Sequence, residues 1–276
     1  MRILITADIH FGLPGKLNDI LWSMRVISEY AHKNGISTIL ILGDLFHDRN
    51  AISVDALSAV FKFFSGTSKY NQEWVALLGN HDMHLKNSWD INSVSPLNKL
   101  ITVIDEVKLL NIGNKRFWVL PFVHYESVYM DVVHKIEMNA SEDDILLTHV
   151  GVNNAKLNEC FALKNWSVVS FENTKFKTVF TGHFHCHQNI NKVWYPGSPI
   201  PFRFDEGLVD HGFIEYDIET NSTKFINIFE AGKQLLPSEK QAPDYLTCND
   251  TDIDKVVMAN SNVRICLDRD YTANEL

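Results

Sequence analysis

The chain has 276 residues, of which 45% are hydrophobic, and its 34 acidic and 25 basic side chains give a formal net charge of −9. This length and apolar content allow one large domain, or a domain with an appendage, with a substantial core. The acidic balance argues against a simple basic nucleic-acid-binding module, and no apolar run approaches the roughly 18 residues of a membrane-spanning helix. The charge does not exclude an enzyme that acts on phosphates, because bound divalent cations would reverse the local sign.

Short apolar runs alternate with helical patterns over the first two thirds of the chain. The spacing of apolar residues between Ile20 and Ala31 predicts a helix that stops near Gly35, and a second apolar stripe from Val54 predicts a helix that ends near Gly66. Residues 125–139 fit a third helix. The apolar runs are short, continuous and bounded by turn residues, as is typical of buried strands, and they cover 2–7, 37–42, 74–78, 117–122, 145–150 and 178–182.

Three later segments have the alternating pattern of antiparallel strands, namely "VWYPG" (193–197), "GFIEYDIE" (212–219) and "KFINIFE" (224–230). The fold class predicted from these elements is α/β, with mixed β-sheets layered against helices.

Residues 232–246 concentrate Gly, Pro, Ser and charged side chains, which is typical of a boundary. We therefore predict a main domain over 1–235 and a linker with a short appendage over 236–276. The appendage is too short to fold alone. Within it, the sequence predicts a short helix over 252–261 and a strand over 262–268.

Polar side chains follow five of the predicted strands at the points where the strands end. Open α/β sheets place their sites outside the carboxyl ends of the strands, so one crevice could collect all these groups. In chain order they are Asp8 and His10, then Asp44 with His47 three residues on, then Asn80 and His81, then His149, and finally His183 and His185.

Each of these residues has an ordinary structural explanation when it is taken alone. A single Asp or Asn after a strand is usually a turn residue or a helix cap, and a single His is more often a hydrogen-bonded structural residue. Five predicted strands that each end in Asp, Asn or His are difficult to explain by chance. Four further histidines, at 32, 124, 134 and 211, lie outside the pattern and are interpreted as ordinary residues.

The residue types at the strand ends suit a metal site. Two Asp, one Asn and four His offer oxygen and nitrogen ligands without a thiolate, which favours manganese, iron or zinc over calcium, and magnesium less. Seven ligands are too many for one open catalytic ion and suit two ions that share a carboxylate. Two such ions can hold a hydroxide and neutralise phosphoryl oxygens during in-line attack. No Ser or Cys occupies a nucleophile elbow, so a covalent mechanism has no candidate.

The four cysteines are scattered without a CxxC pair. This usage predicts reduced thiols and a cytoplasmic location. We interpret Cys186, inside "HFHCH", as a packing residue.

The series DxH, GD, GNH(D), H and GHxH, which spans residues 8–185, resembles that of the calcineurin-like metallophosphoesterases. The stretches "GDLFH", "GNHD" and "YPGSPIPFRFDEG" carry a narrower resemblance, over roughly 1–230, to the SbcD-type nucleases of bacteria and phages. The resemblance implies a metallophosphoesterase sandwich. It also implies a two-metal phosphodiesterase that cleaves DNA as the exonuclease and endonuclease subunit of an SbcC/SbcD-like repair or recombination complex.

The family pattern also implies a role for each site residue. One ion would be bound by Asp8, His10 and His185, the other by Asn80, His149 and His183, with Asp44 as the bridge between them. His81 would be the acid that serves the leaving oxygen, and His47 would assist near the phosphate. The pattern leaves His84 and His187 open, either as residues that support the ligands or as exposed residues.

The resemblance implies two partners, a DNA substrate and an SbcC-type ATPase subunit, and a homodimer is a further expected assembly. The last stretch, "NVRICLDRDYTANEL", resembles the start of the capping domain of SbcD-type proteins, after which the sequence ends. We therefore expect a trimmed chain or a minimal relative, with weak DNA binding and without a stable ATPase complex.

Two other functional classes fit parts of the pattern. A metallophosphoesterase could act on cyclic nucleotides, nucleotides or phosphoproteins instead of DNA, although "GNHD" differs from the GNHE that is usual in protein phosphatases. A binding or scaffold protein could use the same fold without catalysis, but the complete ligand set argues against that interpretation.

Overall fold

The computed structural model describes residues 1–158, 161–162, 169–207, 209–239, 244–249 and 261–266. In this part of the chain the helices are α1 (Leu17–Lys33), α2 (Val54–Thr67), α3 (Glu126–Glu137) and α4 (Ile228–Leu235). The strands are β1 (Arg2–Thr6), β2 (Thr38–Leu42), β3 (Glu73–Leu77), β4 (Thr102–Ile104), β5 (Lys108–Ile112), β6 (Lys115–Leu120), β7 (Ile145–His149), β8 (Lys156–Asn158), β9 (Phe161–Ala162), β10 (Thr178–Gly182), β11 (Gln188–Ile190), β12 (Val193–Tyr195), β13 (Gly212–Asp217), β14 (Ser222–Asn227), β15 (Asp244–Asn249) and β16 (Ser261–Cys266). Among the described residues, none of the helices is both long and apolar enough to cross a membrane.

Two six-stranded mixed sheets form the centre of the fold. The first has the order β14-β13-β1-β2-β3-β4, in which β1 to β4 are parallel and β13 and β14 form an antiparallel hairpin. The second has the order β11-β12-β10-β7-β6-β5, with β12, β10, β7 and β6 parallel and an antiparallel strand at each edge. Because β1, β2 and β3 are neighbours, and β7 and β10 are neighbours, their carboxyl ends lie together within each sheet.

Apolar side chains fill three layers around these sheets. Leu40 of the first sheet and Leu147 of the second belong to one buried cluster between the sheets. On the outer face of the first sheet, Ile39 packs in a cluster with Trp22 of α1 and with residues of α2 and α4. On the outer face of the second sheet, α3 contributes Tyr129. The predicted fold of mixed sheets flanked by helices is therefore confirmed.

The strands that end in polar residues and the three predicted helices are confirmed to within about three residues. The prediction for "KFINIFE" is wrong in its last residues, because β14 ends at Asn227 and α4 begins at Ile228. The Asn227 side chain accepts hydrogen bonds from the backbone N–H groups of Phe229 at 3.0 Å and Glu230 at 3.2 Å, which caps the new helix. The strand predicted at 193–197 is antiparallel only to β11, since β10 lies parallel to it on the other side.

The C-terminal prediction is tested only in part. Residues 232–235 of the predicted boundary still belong to α4, which packs on α1. The helix predicted over 252–261 lies outside the described residues except for its last position, which begins β16. β16 confirms a strand close to the predicted 262–268 and pairs in parallel with β15. The division of the chain at 235 stays a prediction.

Candidate metal centre

The carboxyl ends of the two sheets meet at one edge of the sandwich, and hydrogen bonds join them there. The backbone N–H of His183, after β10, donates to Oδ1 of Asp8, after β1, at 3.0 Å. Nδ1 of His149, at the end of β7, lies 2.7 Å from the carbonyl oxygen of Leu42 on β2. The edge is therefore continuous across both sheets.

The structure brings all nine sequence-predicted site residues to this edge. Four of them are almost completely buried, with exposed fractions of 0–3% at Asp8, His10, Asp44 and His149. A cleft with a volume of about 310 Å³ opens beside them. It is lined by His10, Leu13, Asp44, His47, Asn80, His81, His183, His185, Phe202 and Arg203.

One group of donor atoms comes from Asp8, His10 and His185. One ligand atom from each of these residues lies within 4.8 Å of the other two. The two Nε2 atoms of His10 and His185 are 3.1 Å apart. These are the three residues that the family pattern assigns to a single ion.

A second group of donor atoms surrounds the amide oxygen of Asn80. Oδ1 of Asn80 lies 3.1 Å from Nε2 of His149 and 2.9 Å from Nδ1 of His183. These three atoms are the ones available to the second predicted ion.

Asp44 lies between the two groups. Its Oδ2 is 3.4 Å from Nε2 of His149 and 3.9 Å from Nε2 of His10. Its Oδ1 accepts a hydrogen bond from the backbone N–H of His81 at 2.8 Å. One carboxylate is therefore within reach of a predicted ligand of each ion.

The positions of the protons on the imidazole rings of His149 and His185 show whether a metal ion fits between the donor atoms. The Nδ1–H of His149 has the Leu42 carbonyl as its acceptor, so in the neutral ring Nε2 carries a lone pair that faces the Asn80 oxygen at 3.1 Å. In the same way, Nδ1–H of His185 donates to Glu206 at 2.8 Å, so in the neutral ring its Nε2 lone pair faces His10. Lone pairs at these distances repel one another unless a proton or a metal ion lies between them. The donor set fits divalent cations.

The electrostatics of the cluster agree with this fit. Burial, reinforced by the charge of His149, lowers the pKa of His183 to about 3, and burial also holds the pKa of His10 well below its usual value. Both imidazoles are therefore neutral near neutral pH and keep a lone pair for an ion. Burial by itself would lower the pKa of His149 too, but the neighbouring Asp44 carboxylate outweighs it and raises this pKa to about 9. This position therefore attracts cations.

The backbone around the cluster adopts conformations that L-residues rarely use. Asp8, His10, Asp44 and His183 have φ values of 54°, 55°, 54° and 102°. Such conformations cost free energy for non-glycine residues and concentrate at functional sites. Three of these residues, His10, Asp44 and His183, line the cleft.

Two glycines allow this close approach. A Cβ atom at Gly79 would lie 2.1 Å from Oδ1 of Asp44, and one at Gly182 would lie 2.2 Å from the carbonyl oxygen of Leu42. Any larger residue would displace Asp44 or separate the two sheets at the site.

Glu206 is a site residue that the motif reasoning did not assign. Its side chain is 1% exposed, and it accepts hydrogen bonds from Nδ1–H of His185 at 2.8 Å and from the backbone N–H of Phe202 at 2.7 Å. Burial alone would raise the pKa of its carboxyl, but the bond from His185 and the Arg203 guanidinium outweigh burial and hold this pKa at about 2. Glu206 lies in the quoted stretch "FRFDEG", yet nothing local connects it with His185.

Asp82 is the second unassigned residue, although it completes the quoted "GNHD". It is fully buried. Its carboxylate accepts the backbone N–H groups of Leu45 at 3.3 Å, Phe46 at 3.0 Å and Gly79 at 2.9 Å. Asp82 therefore joins the loop after β2, which carries Asp44, to the loop after β3.

His81 and His47 lie together beside the first donor group. Nδ1 of His81 contacts the backbone carbonyl oxygen of His47 at 2.5 Å, and the two rings stack with centroids 5.6 Å apart. A ligand atom of each also lies within 4.8 Å of one of His10. With Nδ1 held by a carbonyl group, Nε2 is the nitrogen of His81 that remains for chemistry.

The other histidines do not line the cleft. His84 is exposed, and the ring of His187 stacks on Phe225 with centroids 3.9 Å apart. His211 is buried and hydrogen-bonded to Ser198, which agrees with its interpretation as a structural residue. Cys186 is 3% exposed, as expected of a packing residue.

The family model of calcineurin-like phosphoesterases matches residues 1–187 of the chain. The chain belongs to the calcineurin-like phosphoesterase family. It is thereby a metallophosphoesterase, a hydrolase that acts on phosphoesters. The family uses a two-metal site, for which the clustered donors described above are the candidate ligands.

Two proteins of known sequence and one solved structure are similar to this metallophosphoesterase. It is 25% identical over 248 residues to Exonuclease subunit 1 of Enterobacteria phage T4, a match that covers 82% of this chain and 67% of the relative. It is 23% identical over 205 residues to an uncharacterized protein of Acanthamoeba polyphaga mimivirus, covering 70% of this chain and 15% of that protein. GAP50, the anchor in the inner membrane complex of Plasmodium, has a similar fold at 12% identity, with a TM-score of 0.50 over 100% of this chain and 98% of the other.

Proposed function

We propose that this metallophosphoesterase hydrolyses phosphodiester bonds in DNA, with manganese as its preferred metal. The observation that carries the proposal is the position of Asp44, whose Oδ2 faces His149 at 3.4 Å and His10 at 3.9 Å. A carboxylate between two donor groups suits a pair of ions and therefore in-line attack on a phosphoryl group. The choice of DNA is supported by the similarity to an exonuclease subunit of a phage. The donor set without thiolates suits manganese, with iron and zinc as alternatives.

The seven ligand positions would divide as the sequence suggests. Asp8, His10 and His185 would hold one ion, Asn80, His149 and His183 the other, and Asp44 both. Divalent ions bound here supply an activated water and neutralise phosphoryl oxygens. Two divalent cations would carry four positive charges, and the ligands contribute only two negative carboxylates. The loaded site would therefore be positive and would attract an anionic diester, although the whole chain has a net charge of −9.

His81 would serve the leaving oxygen. The carbonyl group of His47 holds Nδ1 of His81 and thereby fixes the ring in the cleft. A proton on Nε2 is then directed toward the reacting phosphate and can pass to the departing alkoxide. The His47 side chain lines the same cleft and would assist in holding the phosphate.

The assembly is part of the same proposal. The relative is by name a subunit, which supports a partner chain of the SbcC ATPase type in a repair or recombination complex, working in the cytoplasm. The residues present are still expected to form no stable complex with such a partner. A homodimer remains an expected assembly.

The experiment that tests this function is a cleavage assay on the purified chain. Labelled single-stranded DNA, labelled duplex DNA and small phosphodiesters are incubated with manganese, magnesium, zinc or iron, and with a chelator. We expect DNA cleavage that depends on manganese and is lost with the chelator. Asp44→Ala, purified identically, controls for contaminating nucleases. Cleavage of the small diesters without cleavage of DNA would refute the DNA assignment and support the other phosphoesterase classes.

A further inference from the structure

A groove with a volume of about 850 Å³ lies next to the metal cleft, between the segment that follows His81 and the start of α3. Met83, Trp89, Phe122 and Tyr125 contribute apolar and aromatic surface to it. None of these four residues has a role in the metal chemistry proposed above. The groove therefore needs a separate explanation.

The ring of Phe122 lies between the groove and two of the predicted metal ligands. The ring of Phe122 lies 6.1 Å, centroid to centroid, from the rings of His149 and of His183, and it also lines the groove. Along the chain, His81 lines the cleft, and Met83, two residues later, lines the groove. The groove is therefore the concave surface beside the predicted metal ligands that a nucleotide flanking a phosphate in the cleft would meet.

The aromatic surface is exposed and partly fixed in place. Tyr125 is 59% exposed and Val128, one helical turn further along α3, is 47% exposed, although both are large apolar side chains. The indole N–H of Trp89 donates to the carbonyl oxygen of Phe122 at 2.8 Å, which holds the ring against the groove wall. A fixed aromatic ring offers stacking surface without the entropic cost of ordering it.

The charges at the groove select a neutral occupant over a phosphate. Three carboxylates, from Asp90, Asp105 and Glu106, line it together with one lysine, Lys86, and one histidine, His124. Phosphates of a nucleic-acid backbone would be repelled by this excess of negative charge. A nucleobase is neutral and stacks on aromatic side chains. The amino group of a base can also donate a hydrogen bond to a carboxylate.

We propose that this groove binds an unstacked nucleobase of the nucleotide next to the scissile phosphate. The inference rests on the proposed DNA phosphodiesterase activity and adds to it a subsite for single-stranded substrate. Stacking on an aromatic ring tolerates any base. The subsite would therefore favour a strand that has a base at the flanking nucleotide over a strand that is abasic there, and it would discriminate little between base sequences.

The test compares natural and abasic single-stranded oligonucleotides. An abasic residue replaces each nucleotide that flanks the cleaved bond, and kcat/KM is measured for the intact chain and for Tyr125→Ala and Trp89→Ala. Met138→Ala is the matched control, since Met138 follows α3 and is 76% exposed but does not line the groove. We expect the unaltered chain to prefer the natural strand by about tenfold at one flanking position, as the loss of one stacked base implies.

Both groove variants should lose this preference while they cleave the abasic strand as fast as the unaltered chain and keep the same manganese stoichiometry. The Met138→Ala chain should keep the preference. Equal cleavage of natural and abasic strands by the unaltered chain would overturn the subsite and leave the nuclease activity intact. A preference that survives in both variants would also overturn it, and would leave the groove to a cationic protein partner. Absence of cleavage of either strand would count against the proposed function itself.

Discussion

Nδ1–H of His185 donates a hydrogen bond to Oε1 of Glu206 across 2.8 Å, and Glu206 is 1% exposed. Through this bond Glu206, which lies between β12 and β13, orients the predicted metal ligand His185. The bond also fixes the tautomer of His185, so that its Nε2 faces His10. The backbone N–H of Phe202 and the guanidinium of Arg203 hold the same carboxylate in place. Glu206 thus positions His185 without entering the cleft.

The first prediction concerns Glu206→Gln. The amide is similar in shape but lacks the charge that strengthens its bond to His185, so we expect affinity for one of two manganese ions to fall by about 10- to 100-fold. Titration calorimetry on the metal-free chain measures both sites. Asp205→Asn, at an adjacent carboxylate that is 44% exposed, is the control and should bind as the unaltered chain does. Equal weakening of both sites would show that Glu206 supports the fold and not one ligand.

The second prediction concerns Asp44→Ala. Oδ2 of Asp44 lies within 4 Å of predicted ligands of both ions, so its removal should weaken both manganese sites together, and the same calorimetry measures this. Asp55→Ala, at an exposed carboxylate on α2, is the matched control. A single site that is insensitive to the loss of Asp44 would contradict the bridging role.

The third prediction separates the neighbours His81 and Asn80. An amide oxygen can bind an ion but cannot carry a proton, whereas an imidazole can protonate a leaving group, a step worth about 10²–10⁴-fold in rate. We expect His81→Ala to keep its manganese and its fold while kcat on a DNA diester falls by at least about a hundredfold. Asn80→Ala should bind manganese more weakly and regain part of its activity in excess metal.

His134→Ala, at an exposed histidine on α3, is the control for this pair and should behave as the unaltered chain does. Metal content by atomic emission and turnover under saturating manganese distinguish the two variants. Loss of metal in His81→Ala would make His81 a ligand, which its proximity to His10 also permits. Retention of most of its activity would make it a structural residue.

The fourth prediction concerns stability. Asp82→Ala leaves the buried N–H groups of Leu45, Phe46 and Gly79 without their acceptor. Since an unsatisfied buried group costs about 1–3 kcal/mol, we expect the free energy of unfolding, measured with urea, to fall by about 3 kcal/mol. Asp82→Asn keeps one acceptor oxygen and should lose less. A change below about 0.5 kcal/mol, typical of surface positions, would show that water replaces the carboxylate.

Local patterns were sufficient to predict the central strands and the polar residues that end them. A strand buried on both faces has a nearly continuous apolar sequence, so β1, β2, β3, β7 and β10 were predicted from short apolar runs. The same approach did not predict β4 and β5, which lie at sheet edges where partly exposed positions interrupt the run. It also extended the predicted strand β14 into helix α4, because the apolar alternation continues past Asn227. The change from strand to helix depends on one side chain, Asn227, which caps the helix.

By itself, the sequence determined which residue types end the strands, and through the family pattern it predicted the nine site residues. Only the tertiary structure decided how they meet. His149 and Leu42 are 107 residues apart in the chain, His185 and Glu206 are 21 apart, and the groove beside Phe122 combines a loop with the start of α3. No periodicity encodes such contacts, because strand and helix repeats constrain only near neighbours. The packing of one sheet on the other sets these distances, and with them the position of Asp44 between two donor groups.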